Sequence, residues 1–397
     1  MSAQMRGGSG STTKVFLHIG APKTGTTYLQ HVLFKNRETL ADAGVLYPYS
    51  AVEQSFRSAH DFCGTTWFGH GADRFRGEWD RIAGLAREWE GETVVISSEL
   101  LAAARPDRIK SRLALLAPAE VHVVFSARDL ARQLVSDWQE QVKHKHTVTL
   151  ERFVDDLAEL GPDAPEPFGR LFWGMHDAAF VLRRWSAVVP PERIHVITVP
   201  PPGGPPDALW TRLCAVTGLD PSAYDTSAKR SNASMGVEET ELVRRMNRRL
   251  AKMDGNSYDV LVRLLLAEKV LGGGTTRLTL PPHRMAWARE RSQTLIDELA
   301  AAGYRVEGDL EDLMPTAPDT DYVSPTSLTD GDLGPVAIKT ATALLKHAGK
   351  MRDQNRRLKA AHEDDPPSRR RRVPRPGALA GRGRRVLGRA ARLRRQD

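Results

Sequence analysis

Four short apolar runs constrain this chain more than any other feature: KVFLHI (14–19), TVVISS (93–98), VHVVFSA (121–127) and IHVITV (194–199). Each is rich in β-branched residues and lacks strict alternation, the pattern of a strand buried on both faces. Helical patterns lie between and after them, at about 26–36, 78–90, 107–117, 129–143, 150–160 and 175–189. Such alternation predicts an α/β layered fold with a central parallel sheet and helical crossovers. Open sheets of that kind place ligands at the carboxyl ends of their strands. Gly20 to Gly25, Ser98 to Glu99 and Ala127 to Arg128 all fall at such ends.

The rest of the chain divides by composition. Residues 1–12 read as a flexible leader and 13–314 as the main domain. An amphipathic pattern runs from about Val237 to Leu271 and stops at three glycines, 272–274. Residues 315–336, poor in large apolar side chains, read as a linker. A single helix is expected over 337–363, followed by a disordered Arg-rich tail, 364–397.

Charge follows the same division. The formal charge of the 397 residues is +8, but from Arg369 onward twelve arginines face one aspartate, so the body before them is mildly acidic. Nothing in that pattern predicts a specific nucleic-acid partner. Two cysteines, Cys63 and Cys214, make no disulfide framework and no zinc spacing, which fits a reduced compartment. The N-terminus has no apolar segment resembling a signal peptide, and no run approaches the ~18 apolar residues that cross a bilayer. A cytoplasmic protein is expected, with the tail available for contact with the inner face of the membrane or with a polyanion.

Two stretches carry chemistry. In GAPKTGTT, 20–27, a strand meets a glycine-rich turn and then a helix start, an arrangement that holds anions on backbone N–H groups. A nucleoside-triphosphate loop places lysine after its second glycine; here Lys23 lies inside the turn and Thr26 follows Gly25 directly. A lysine inside the turn can reach a bridging oxygen where leaving-group charge develops. In FSARDLARQLVS, Arg128 closes a strand and Ser136 follows eight residues later in a helical pattern. Eight residues make a little over two turns, so arginine and serine can clamp a second phosphate. Arg132 can equally pair along the helix surface.

Together these stretches resemble the sulfotransferases that use 3′-phosphoadenosine 5′-phosphosulfate, in a bacterial, actinobacterial-type form. The resemblance covers about residues 13–240 and implies a three-layer, nucleotide-kinase-like (P-loop) α/β fold. It implies that Lys23 neutralises the bridge between sulfuryl and 5′-phosphate, in a turn shaped by Pro22. Thr24, Gly25, Thr26 and Thr27 would hold the 5′-phosphate, and Arg128 and Ser136 the 3′-phosphate. A late loop closes over the nucleotide in the family, and SAKRSNASMG (227–236) is its candidate here, with Lys229, Arg230 and Asn232 as donors. That loop departs from the Arg-Lys-Gly spelling of the cytosolic animal enzymes. Asn232 also opens a formal glycosylation sequon.

The family activates its acceptor with a histidine or a glutamate. Glu99, just past a strand, is the expected base, and His60, in SFRSAHDFC, is the second candidate. No metal is implied, and KHKH (143–146) reads as a solvated patch rather than a metal site. Trp67, Trp79, Trp138 and Trp173 are available to line an acceptor pocket, stack on adenine or fill the core. The acceptor implied is a hydroxyl, less often an amine, on a small molecule, glycan or glycolipid. Two other readings stand beside this one: a P-loop nucleotide kinase with an aberrant loop, and a non-catalytic scaffold binding polyanions or membranes through its tail.

Overall fold

The computed structural model describes residues 12–66, 72–227, 234–318 and 320–363. Six strands form one parallel sheet: β1 (Lys14–His18), β2 (Val45–Leu46), β3 (Thr93–Ser97), β4 (Glu120–Ala127), β5 (Ile194–Thr198) and β6 (Arg305–Glu307). Their order is β2-β3-β1-β4-β5-β6. The four apolar runs of the sequence are the four inner strands, and all but the first residues of β1, β3 and β4 are buried. Both faces are covered by helices, so apolar residues are needed at successive positions and not only at alternate ones.

From β1 the chain goes first to the border strand β2 and back to β3 beside β1, then crosses to place β4, β5 and β6 on the other side. Right-handed crossovers in opposite directions put their helices on opposite faces and open a crevice at the reversal. That crevice lies at the carboxyl end of β1, where His18 pairs with Ser97 of β3 and Val124 of β4. The imidazole of His18 sits between Ser97 Oγ at 2.8 Å and Ser126 Oγ at 2.7 Å. It braces three strands immediately beneath the turn.

Among the helices are α1 (Thr26–Lys35), α2 (Glu53–Cys63), α3 (Leu130–Lys143), α4 (Phe168–His176), α5 (Ala178–Ser186), α6 (Val237–Arg249), α7 (Met285–Ala301) and α8 (Asp330–Glu363). The single helix expected at 175–189 is α5, with α4 running separately into it. The break falls at Asp177, whose carboxylate caps α5 by accepting from Phe180 N. The long pattern from Val237 is likewise interrupted after α6, and Asp254 caps its continuation by accepting from Ser257 N. The terminal helix begins at Asp330, ahead of the expected 337. Thr329 and Asp332 explain this start: each accepts from the other's backbone N–H, a reciprocal cap.

The chain divides into a unit ending at Ala343 and a second beginning at Leu344. Among the described residues no helix is long and apolar enough to cross a membrane. The 1–12 leader, apart from Thr12, and the 364–397 tail lie outside the described residues.

Candidate active site

The turn after β1 stays attached to the sheet edge while it bends. Ile19 N bonds Val124 O and Ala21 N bonds Ser126 O, both at 2.9 Å. Pro22, Lys23, Thr24 and Gly25 then turn the chain into α1, with Gly25 as its N-cap at φ +93. Thr24 Oγ1 donates to Ala21 O at 2.7 Å, closing the turn on itself. Thr26 is buried, whereas Gly25 and Thr27 are exposed at the mouth. A helix start with a glycine cap presents first-turn N–H groups and the positive end of the helix dipole, which suits an anion.

Helix α3 grips this turn along one stripe. Gln133 Nε2 donates to Pro22 O at 2.7 Å. Ser136 Oγ accepts from Arg128 Nη1 at 3.1 Å, and the same nitrogen donates to Lys23 O at 2.8 Å. Glu140 Oε2 meets Lys23 Nζ at 2.9 Å. Positions 133, 136 and 140 are spaced i, i+3, i+7, the spacing of one helix face. Arg128 and Ser136 therefore meet, as their eight-residue interval implied, and Arg128 also reaches the backbone of Lys23. Gln133 and Glu140 were not expected; their signal was polar residues on the same helical stripe as Ser136.

Beside α3 lies a cavity of about 580 Å³. Arg128, Arg132, Ser136 and Arg277 line it, with Pro201, Thr316 and Pro318 on other walls. Burial, then the like charge of Arg132 and Arg277 against the opposing pull of Asp129, brings the Arg128 guanidinium down to about 10. It remains a cation at neutral pH. Arg277 is a further residue the sequence did not single out, because it comes from a loop far along the chain. Residues 315–336, expected as a linker, contribute Thr316, Ala317 and Pro318 to this wall. Lys229, Arg230 and Asn232 lie outside the described residues, while Ser234 and Met235 from the end of that loop line the cavity.

On the other side of the turn, Glu99 follows β3 and is half-buried. Its Oε2 accepts from Gln30 Nε2 of α1 at 2.9 Å, so the carboxylate is tied to the helix that the turn opens. Two buried tyrosines adjoin it. Burial, then Tyr49 and Glu99, raises the Tyr47 phenol well above its ordinary value. The Tyr49 phenol is also raised, by burial first, and its hydroxyl lies 3.3 Å from Ser58 Oγ on α2.

His60 occupies a different setting. Its Nδ1 lies 2.7 Å from Thr65 Oγ1, its ring stacks on Phe75 with centroids 5.1 Å apart, and Phe56 packs edge-on at 4.3 Å. Burial lowers its pKa against the opposing bond to Thr65. Trp79 and Trp138 are wholly buried, their indole N–H groups donating to Arg112 O and Val148 O. Trp173 packs edge-on against Phe172, and Trp67 lies outside the described residues.

No known family profile and no curated protein matches the chain. Among solved structures, a sulfotransferase from Alicyclobacillus acidocaldarius is similar at 19% identity. The overlap covers 62% of this chain and 94% of that one, with a TM-score of 0.38. That overlap is too loose to carry a shared activity or ligand. The α/β layout rests on this chain's own strand order and pairing.

Proposed function

We propose that this chain is a sulfotransferase that moves a sulfuryl group from 3′-phosphoadenosine 5′-phosphosulfate to a hydroxyl, or less often an amine, of its acceptor. The observation that carries the reading is the pair of hydrogen bonds that Arg128 Nη1 donates, to Ser136 Oγ and to Lys23 O. It joins an anion-binding helix start to an arginine-lined cavity, the layout needed by a nucleotide with anionic groups on both sides of its ribose. In this reading the 5′-phosphosulfate lies over Gly25, Thr26 and Thr27, and the 3′-phosphate meets Arg128, Ser136 and Arg277.

The step is an in-line displacement. The acceptor oxygen forms a bond to sulfur as the bond from sulfur to the bridging oxygen breaks. The acceptor proton passes to the Glu99 carboxylate, and 3′,5′-adenosine bisphosphate leaves with its new charge beside Lys23. Placement by fixed donors and cations supplies the catalysis. Tyr47, Tyr49 and Gln30 would form the wall on which the acceptor and Glu99 are aligned.

Isothermal titration of 3′,5′-adenosine bisphosphate and of ATP, on the wild type and on Lys23→Ala, tests the reading. Tighter binding of the bisphosphate, weakened in the variant, is expected. Preference for ATP would replace it with a kinase-like one.

The tail supports a second element of the reading, a peripheral association with anionic lipid. Twelve arginines follow α8, and the three most exposed large apolar residues, Ile338, Leu345 and Leu358, lie on that helix. Deleting 364–397 should release the protein from membrane fractions at low salt; unchanged fractionation would leave the tail as a solubilising extension.

A further inference from the structure

The ammonium of Lys23 has a partner of its own. Glu140 Oε2 lies 2.9 Å from Lys23 Nζ, and the same carboxylate group meets Lys143 Nζ at 3.3 Å and His144 Nε2 at 3.5 Å. Glu140 is one turn beyond Ser136 on α3, so its place comes from the stripe that holds the turn. Burial pushes the Glu140 carboxyl up, but Lys23, His144 and Lys143 outweigh it and hold the group well below the ordinary carboxylate range. It is an anion at every pH at which the protein would be assayed. The Lys23 and Glu140 side chains keep 31% and 25% of their exposure, so the contact is neither dissolved in solvent nor sealed in the core. An ion pair in that position can be exchanged.

We propose that Glu140 is a positioning residue for Lys23: its carboxylate holds the ammonium against α3 while the turn is empty and yields it to an anion that enters. The proposal takes from the sulfotransferase reading only the identity of that anion. Lys143 and His144 remain on Glu140 after the exchange and keep the carboxylate from being stranded.

Removing the carboxylate charge while keeping its shape should release Lys23. In Glu140→Gln, affinity for inorganic pyrophosphate, which needs only the turn, is expected to rise about fivefold, the scale of one partly exposed ion pair. Affinity for 3′,5′-adenosine bisphosphate should rise similarly. On a Lys23→Ala background the same substitution should change neither affinity. Glu140→Asp, which keeps the charge, should remain within about twofold of the wild type. Glu140→Asn run through the same cycle covers failure of the Gln variant to fold.

Calorimetry on these proteins separates the outcomes. An equal gain on both backgrounds, or no gain, overturns the positioning role, and if the bisphosphate still binds the wild type the sulfotransferase reading is untouched. A Lys23-dependent gain for pyrophosphate, with no bisphosphate bound by any variant, supports the positioning role and removes the nucleotide reading.

Discussion

Arg128 Nη1 reaches Lys23 O at 2.8 Å, so a strand-end cation holds the backbone of the residue whose side chain pairs with Glu140. Lys23 sits at φ +66, a left-handed conformation uncommon outside glycine. The bond to its carbonyl is one of the contacts that keep it there. Arg128→Lys retains the charge but loses the planar Nη1 group that donates to both Ser136 Oγ and Lys23 O. Bisphosphate affinity should fall by about 10- to 100-fold, the range for a lost charged hydrogen bond. Titration calorimetry checks this; affinity within twofold of the wild type would take Arg128 out of the site.

Gly25 caps α1 at φ +93, and a Cβ added there would stand 2.8 Å from Leu209 Cδ2. Gly25→Ala therefore meets both a backbone penalty of about 1–2 kcal/mol and a clash. Chemical denaturation should show a lower midpoint. Adding Leu209→Ala removes the clash but not the backbone penalty, so it should not restore anion binding at the turn.

Glu99→Gln keeps the shape that accepts from Gln30 and removes the carboxylate proposed to take the acceptor proton. Turnover should fall by roughly 100-fold or more, while bisphosphate affinity stays as in the wild type. His60→Gln should turn over normally, because that ring is engaged with Thr65 and Phe75. Full turnover in Glu99→Gln with loss in His60→Gln would reverse the two roles.

The acid limb of stability has a definite sign. Burial lowers His18 to about 4, and burial, His122 and Arg305 lower His195 to about 4 as well. His122 is also lowered, by burial first. Above about pH 6.5 these imidazoles are neutral in both folded and unfolded chains. For His18 and His195, between there and about 4 only the unfolded chain takes up the protons, so stability falls as pH falls, and the loss is complete below the folded value. His18 alone accounts for on the order of 3 kcal/mol over that window. Denaturation midpoints should be lower at pH 5 than at pH 7, and His18→Gln should flatten the difference. Equal midpoints in the wild type would mean that His18 is charged in the folded protein.

What was legible in the sequence was whatever repeated a physical constraint over several residues. The inner strands announced themselves because burial on both faces demands continuous apolar runs. β2 and β6, two and three residues long, each pair with one neighbour only and leave no run to read. Lys23, Arg128 and Ser136 were singled out because the glycine turn and the eight-residue interval together resemble the motifs of a known family; the interval by itself is unremarkable. Gln133 and Glu140 were not, since glutamine and glutamate on an amphipathic helix look like its solvent face. Tyr47 and Tyr49 stand before α2, in a segment with no periodicity, and reach Glu99 only through the fold.

The shortness of β2 and β6 also limits how this protein can meet others. They form the two borders of the sheet, and each offers so brief a row of outward-facing peptide groups that an incoming strand has nothing to zip onto. Short edge strands of this kind disfavour sheet extension at either border.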